Sequence, residues 1–131
     1  MAKHRYVRKP IPDKRVVLFA DAEEAWFWYI RSERARREGA RLTDDYSSDT
    51  RPCDPDDLYR FVMCLRARRK LRDEHLRVLV QFGWRDCPPD ARVREEERAV
   101  LLWDEALDRL TTLLKSRGIV RHDDQQPRAC G

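Results

Sequence analysis

The sequence predicts an all-α domain, a small bundle of about four helices that contains a helix-turn-helix-like pair and follows a flexible basic N-terminal tail. Three observations predict it. Only four of the 131 residues are glycine, β-branched residues are sparse, and the apolar residues recur at three- and four-residue spacing instead of alternating. The domain is expected over residues 18–120, between a basic tail at 1–17 and a second patternless tail at 121–131.

The first helix is expected from Ala22 to Glu38. Asp21 stands at its cap with Glu24 three residues on, which satisfies free amide hydrogens and suits the positive helix end, and Gly39 stops it. Its stripe is Ala22, Ala25, Trp26, Tyr29 and Ile30. The run AWFWYI also puts Phe27 and Trp28 on other sides, so one core surface does not satisfy the helix; a further helix or a second subunit must cover them.

Residues 40–52 are polar and read as a loop. In CDPDDLYRF, Asp54 caps the second helix, Pro55 takes the first helical position where its missing amide hydrogen is harmless, and Asp56 and Asp57 complement the dipole. Leu58, Phe61, Val62 and Leu65 form its apolar stripe. Lys70 to Arg72 read as a short turn with Asp73 as the next cap, and the third helix runs from Glu74 to Gln81 with Leu76, Leu79 and Val80 on one side. A helix pair with so short a connector has the length of a helix-turn-helix.

The fourth helix is expected from Ala91 to Arg117, after the Pro88–Pro89 break. Val93, Val100, Trp103, Leu107, Leu110 and Leu114 make its stripe, widened by Leu101, Ala106 and Leu113. Gly118 is the candidate left-handed cap and Ile119 its hydrophobic contact. A helix of that length exceeds one face of so small a core, which implies a projecting end or contact with another subunit.

Lys and Arg outnumber Asp and Glu by 28 to 24, for a formal charge of +4 and a pI near 9.0. The distribution says more than the total. Residues 1–17 carry six cations against one acid, residues 58–77 carry seven against two, and residues 43–57 carry six aspartates against one arginine. Such opposite-sign blocks create fields that steer partners. No apolar run is long enough to span a membrane and no signal-peptide pattern opens the chain, so the expected compartment is the cytoplasm. Cys53, Cys64, Cys87 and Cys130 lack paired metal-ligand spacing and are expected as free thiols.

The Arg-rich junction of helices 2 and 3 is the main candidate site: Arg66, Arg68, Arg69, Lys70, Arg72 and Arg77, with Gln81 one turn beyond Arg77. Guanidinium groups grip phosphates in pairs and also reach guanine edges. Arg5, Arg8 and Lys9 of the tail would lie along the same backbone. The segment LRDEHLRVLVQFG, residues 71–83, resembles the start of the DNA-binding region of bacterial sigma factors and related phage regulators, where a short Arg-containing helix precedes a Gly-bearing turn. Pro88, Pro89 and Glu95–Glu96–Glu97 depart from that pattern.

The resulting expectation is a non-enzymatic protein that binds nucleic acid, duplex DNA before RNA, in transcription regulation. The alternative is a protein-binding adaptor, or a homodimer, that uses Phe27 and Trp28 as its docking residues, with an acidic protein as another partner for the arginines. No phosphate-binding loop, zinc-binding helix or nucleophile motif occurs, and the expectation includes no catalytic residue, metal or cofactor. His75 is expected at a partly exposed helix start, and Trp84 as cover for a helix end.

Overall fold

A computed structural model describes residues 15–39 and 49–122. Four helices carry the fold: α1 (Ala22–Arg37), α2 (Pro55–Ala67), α3 (Asp73–Trp84) and α4 (Glu97–Ser116). Two short strands, β1 (Arg15–Val16) and β2 (Asp49–Thr50), pair in parallel with Arg15 opposite Asp49 and Val16 opposite Thr50. The chain entry is thus fixed where the sequence suggested tail. Val17 N–H donates to Thr50 O at 2.8 Å and Phe19 N–H to Ile119 O at 3.0 Å, tying the entry to both the α2 approach and the end of α4.

Local chemistry sets most helix ends. The Asp21 carboxylate accepts from Glu24 N–H at 2.8 Å, and the Glu24 carboxylate accepts from Ala20 N–H at 2.7 Å. At α2 the Asp57 carboxylate reaches back to Asp54 N–H at 3.0 Å, with Pro55 at the first helical position. Gly118 adopts φ +75°, a conformation costly for residues with a Cβ, and lets Ile119 N–H reach Leu114 O at 2.9 Å. Ile119 is buried there.

α1 and α4 form the centre. α1 packs on the other three helices, α4 does likewise, and α2 and α3 scarcely touch each other. Residues 68–72 join two helices that lean on α1 and α4 more than on one another.

Two other boundaries differ from expectation. α3 runs through Gly83 to Trp84, because the missing Cβ lets α1 approach; an added Cβ would meet Ile30 Cγ1 and Trp26 Nε1 at 2.9 Å. Trp26 Nε1 uses that proximity to donate to Leu79 O at 2.8 Å. α4 has 20 residues and begins at Glu97 rather than Ala91; at 1.5 Å per residue that is about 30 Å. The preceding segment folds back instead, with Asp90 N–H donating to the Glu96 carboxylate at 2.7 Å and a single 3₁₀ turn at Arg94–Glu96. Leu102 is buried with Trp103, Ala106, Leu110 and Leu114, whereas Leu101 and Val93 are exposed.

Candidate functional site

The α2–α3 junction begins where α2 stops. Lys70 N–H closes on Leu65 O at 2.8 Å, and this reversal sets Arg69 at φ 63°. Glycine is the usual occupant of such a position, since a side chain there crowds the backbone by roughly 1–2 kcal/mol. Arg68, Arg69 and Lys70 are exposed and have no carboxylate partner among the described residues.

The neighbouring arginines are different. Arg66 Nε pairs with Asp73 at 2.9 Å, and Arg72 pairs with Glu74 at 3.2 Å and reaches Glu105 at 4.0 Å. Of the six cations predicted for the site, two are therefore shared with local carboxylates. Arg77 is exposed, without a carboxylate partner among the described residues, and lies with Gln81 on the outer face of α3. Arg5, Arg8 and Lys9 lie outside the described residues.

His75 holds the far side of this turn. It is 2% exposed, contrary to the expected half-open helix start. Its Nδ1 accepts from Arg72 N–H at 3.0 Å, so the neutral ring carries its proton on Nε2 and donates to Glu105 Oε1 at 2.8 Å. That hydrogen bond, with the charges of Arg109 and Arg72, holds the Glu105 carboxyl below its ordinary range. A hydrogen bond from Arg98 at 2.9 Å does the same for Glu74. The basic turn is thereby clamped to α4 by a histidine that the linear sequence placed at the surface.

Between α2 and α3 lies an open groove. The helices run in opposite directions, with the Arg66–Asp73 pair at one end and Asp56, Tyr59 and Trp84 at the other. α1 supplies the floor through Trp26, Tyr29 and Ile30. The depression measures about 420 Å³ and continues past Met63, Leu76 and Val80 toward Arg77 and Gln81. Tyr59 is 53% exposed and Val80 46%. Sequence patterning missed Tyr59 and Met63, and placed Val80 with the core.

Trp84 closes one end as a helix cover, as expected, and not as an open stacking platform. The Arg34 guanidinium donates to Trp84 O, and the guanidiniums of Arg34 and Arg37 lie 5.1 and 5.3 Å from the indole centroid. Burial raises the Tyr29 phenol above its ordinary range, with Glu33 adding to the effect, so the groove floor stays neutral.

The structure corrects the proposed docking role of AWFWYI. Phe27 is buried against Trp103, with ring centroids 5.6 Å apart, and Trp103 in turn meets Phe82 at 6.4 Å. Trp28 is half-buried against Phe19 at 5.1 Å. The chain's own α4 and entry segment cover both residues, which leaves Phe27 no face for a partner.

Among the described residues, no three His, Cys, Asp or Glu side chains gather as a metal site, and no helix is long and apolar enough to cross a membrane. Burial, with the charges of Asp57 and Asp54, pushes the Cys53 thiol up to about 11, which disfavours the nucleophilic thiolate at neutral pH. Compared with known proteins, the chain matches no family model, no curated protein and no solved structure.

Proposed function

We propose that this protein is a non-enzymatic DNA-binding protein whose α2–α3 turn grips the phosphates of duplex DNA through Arg68, Arg69 and Lys70. The observation that carries the reading is Arg69 itself: a guanidinium occupies a left-handed position that glycine would fill without strain, between two further unpaired cations. Strain of this kind is retained where a side chain has work to do. Duplex is favoured over single strands because, among the described residues, no uncovered aromatic ring stands beside the turn, and single-strand binders need such rings for stacking.

The contact is to backbone, not to sequence. Arg77 and Gln81 are spaced for base contact, but they share the outer face of α3 with Val80 and the groove. An apolar wall gains little from a DNA groove, so base reading, and with it a role in transcription regulation, is the weaker extension of this proposal.

The test is a fluorescence titration with duplex DNA across a salt series. Three released counterions correspond to a slope of log K against log salt of about −2.7. Replacing Arg68 and Lys70 by Ala and Arg69 by Gly should remove that component on every sequence tried. Arg69→Gly alone should act in opposite directions: weaker DNA binding, yet a fold more stable by about 0.5–1 kcal/mol as strain is relieved against the entropy of the glycine. Binding that ignores salt, or that survives the triple change, ends the proposal.

A further inference from the structure

The groove between α2 and α3 has apolar walls, and its own acids are already used. Asp56 and Glu33 pair with Arg36 at 3.2 and 3.6 Å, and Asp73 pairs with Arg66. Arg37 at the Trp84 end and Arg77 on the α3 wall have no carboxylate partner among the described residues. The charge left over on the rim is therefore positive. From Leu76 to Trp84 the wall extends about 12 Å at helical rise, which accommodates two turns of another helix lying in it.

A surface of the opposite character lies on α4. Leu101 is 62% exposed, the most exposed large apolar side chain on any of the helices. Glu97, Asp104 and Asp108 stand four residues before it, three after it and seven after it, all exposed on the same outward face. None of the three has an ion-pair partner among the described residues. An apolar knob in an unneutralised acidic frame complements an apolar groove in a frame of unneutralised arginine.

We infer that a second copy of this chain occupies the groove, inserting the outer face of its α4 with Leu101 between α2 and α3. The two surfaces differ, so the contact is head-to-tail: each copy offers one groove and one knob, and assembly continues until a ring closes. Neither surface includes Arg68, Arg69 or Lys70, so the inference stands apart from the DNA-binding proposal.

Sedimentation velocity of the full chain, from low micromolar to near-millimolar concentration, provides the test. The average mass should rise with concentration, and less so at high salt where the arginine–carboxylate attraction is screened. Val80→Asp blocks the groove and Leu101→Asp blocks the knob; each variant should remain monomeric at every concentration. Mixed together, they still hold one intact groove and one intact knob between them, and should form a dimer of one of each and nothing larger. Both sites are exposed, helical circular dichroism checks that each variant folds, and Val80→Ser and Leu101→Ser replace any that does not. A wild-type chain that stays monomeric, association that persists in the blocked variants, or a mixture that stays monomeric overturns the inference. The first of these results would assign the groove to the helix of a different protein.

Discussion

The helix that carries AWFWYI has two unlike sides. On one, Phe27 meets Trp103, which in turn meets Phe82, in a closed aromatic cluster, and Trp103 Nε1 finds the Glu23 carboxylate at 3.0 Å. On the other, Trp26, Tyr29 and Ile30 form a floor whose α2 and α3 walls stand apart. The same six residues built a sealed core and an open groove. Apolar density in a sequence therefore counts the surfaces that need cover, while the neighbouring helices decide which are sealed in a core and which, like Trp26, Tyr29 and Ile30, lie buried at the bottom of a groove.

The largest way to break that comparison is to truncate each side. Trp103→Ala should cost about 3–5 kcal/mol, the usual range for a buried aromatic that leaves a cavity. Tyr59→Ser and Val80→Ser, on the groove wall, should each cost under about 1 kcal/mol, since much of their surface is already in water. Urea denaturation measures all three. Equal losses on both sides would mean that the groove is as integral to the fold as the aromatic cluster.

Gly83 packs on the floor of the groove, against Ile30 and Trp26. Gly83→Ala gains roughly 1 kcal/mol in helix propensity but forces a methyl group against α1, and overpacking of that kind costs about 1–3 kcal/mol. A net loss of up to about 2 kcal/mol should appear in urea, with a shift in tryptophan emission as the Trp26 bond to Leu79 is disturbed. A stabilised variant would show that α1 and α3 can part without consequence.

The features legible in the sequence are the ones with local causes. The Asp21–Glu24 cap, the Asp54–Pro55–Asp57 start of α2 and the Gly118–Ile119 stop all depend on residues within a few positions, and all are present. The register of α4 was not readable in that way. Residues 99–103 are apolar without interruption, so periodicity could not choose between Leu101, which is exposed, and Leu102, which is buried. Gly83 looked like a helix stop because its reason, contact with α1, lies more than fifty residues away in the chain.

The candidate site divides along the same line. A concentration of arginine at the α2–α3 turn was visible, but which of those arginines stay free was not. Arg66 is taken by Asp73 and Arg72 by Glu74, pairings that exist only once the turn has formed. His75 looked like a surface residue because its partner Glu105 arrives from another helix. The groove has no linear pattern at all, since its walls and floor come from three helices.

The smallest predicted effect concerns how firmly the turn is held against α4. The hydrogen bond from His75 lowers the Glu105 pKa first, aided by Arg109 and Arg72, and the hydrogen bond from Arg98 lowers that of Glu74. A carboxyl whose folded-state pKa is depressed contributes stability that is fully present above the unfolded value, near 4.3 for Glu, and is lost as pH falls through the lower folded value. The urea midpoint should therefore drop across that acid window and stay unaffected by these two groups above it. Both carboxyls are partly in water, which keeps the drop small. Glu105→Gln should flatten the acid limb and Glu74→Gln should flatten it separately, because the two carboxyls take their main hydrogen bonds from different donors. If Glu105→Gln leaves the slope of the limb unchanged, the His75–Glu105 bond is not holding the turn, and the closed side of the molecule ends at the aromatic cluster.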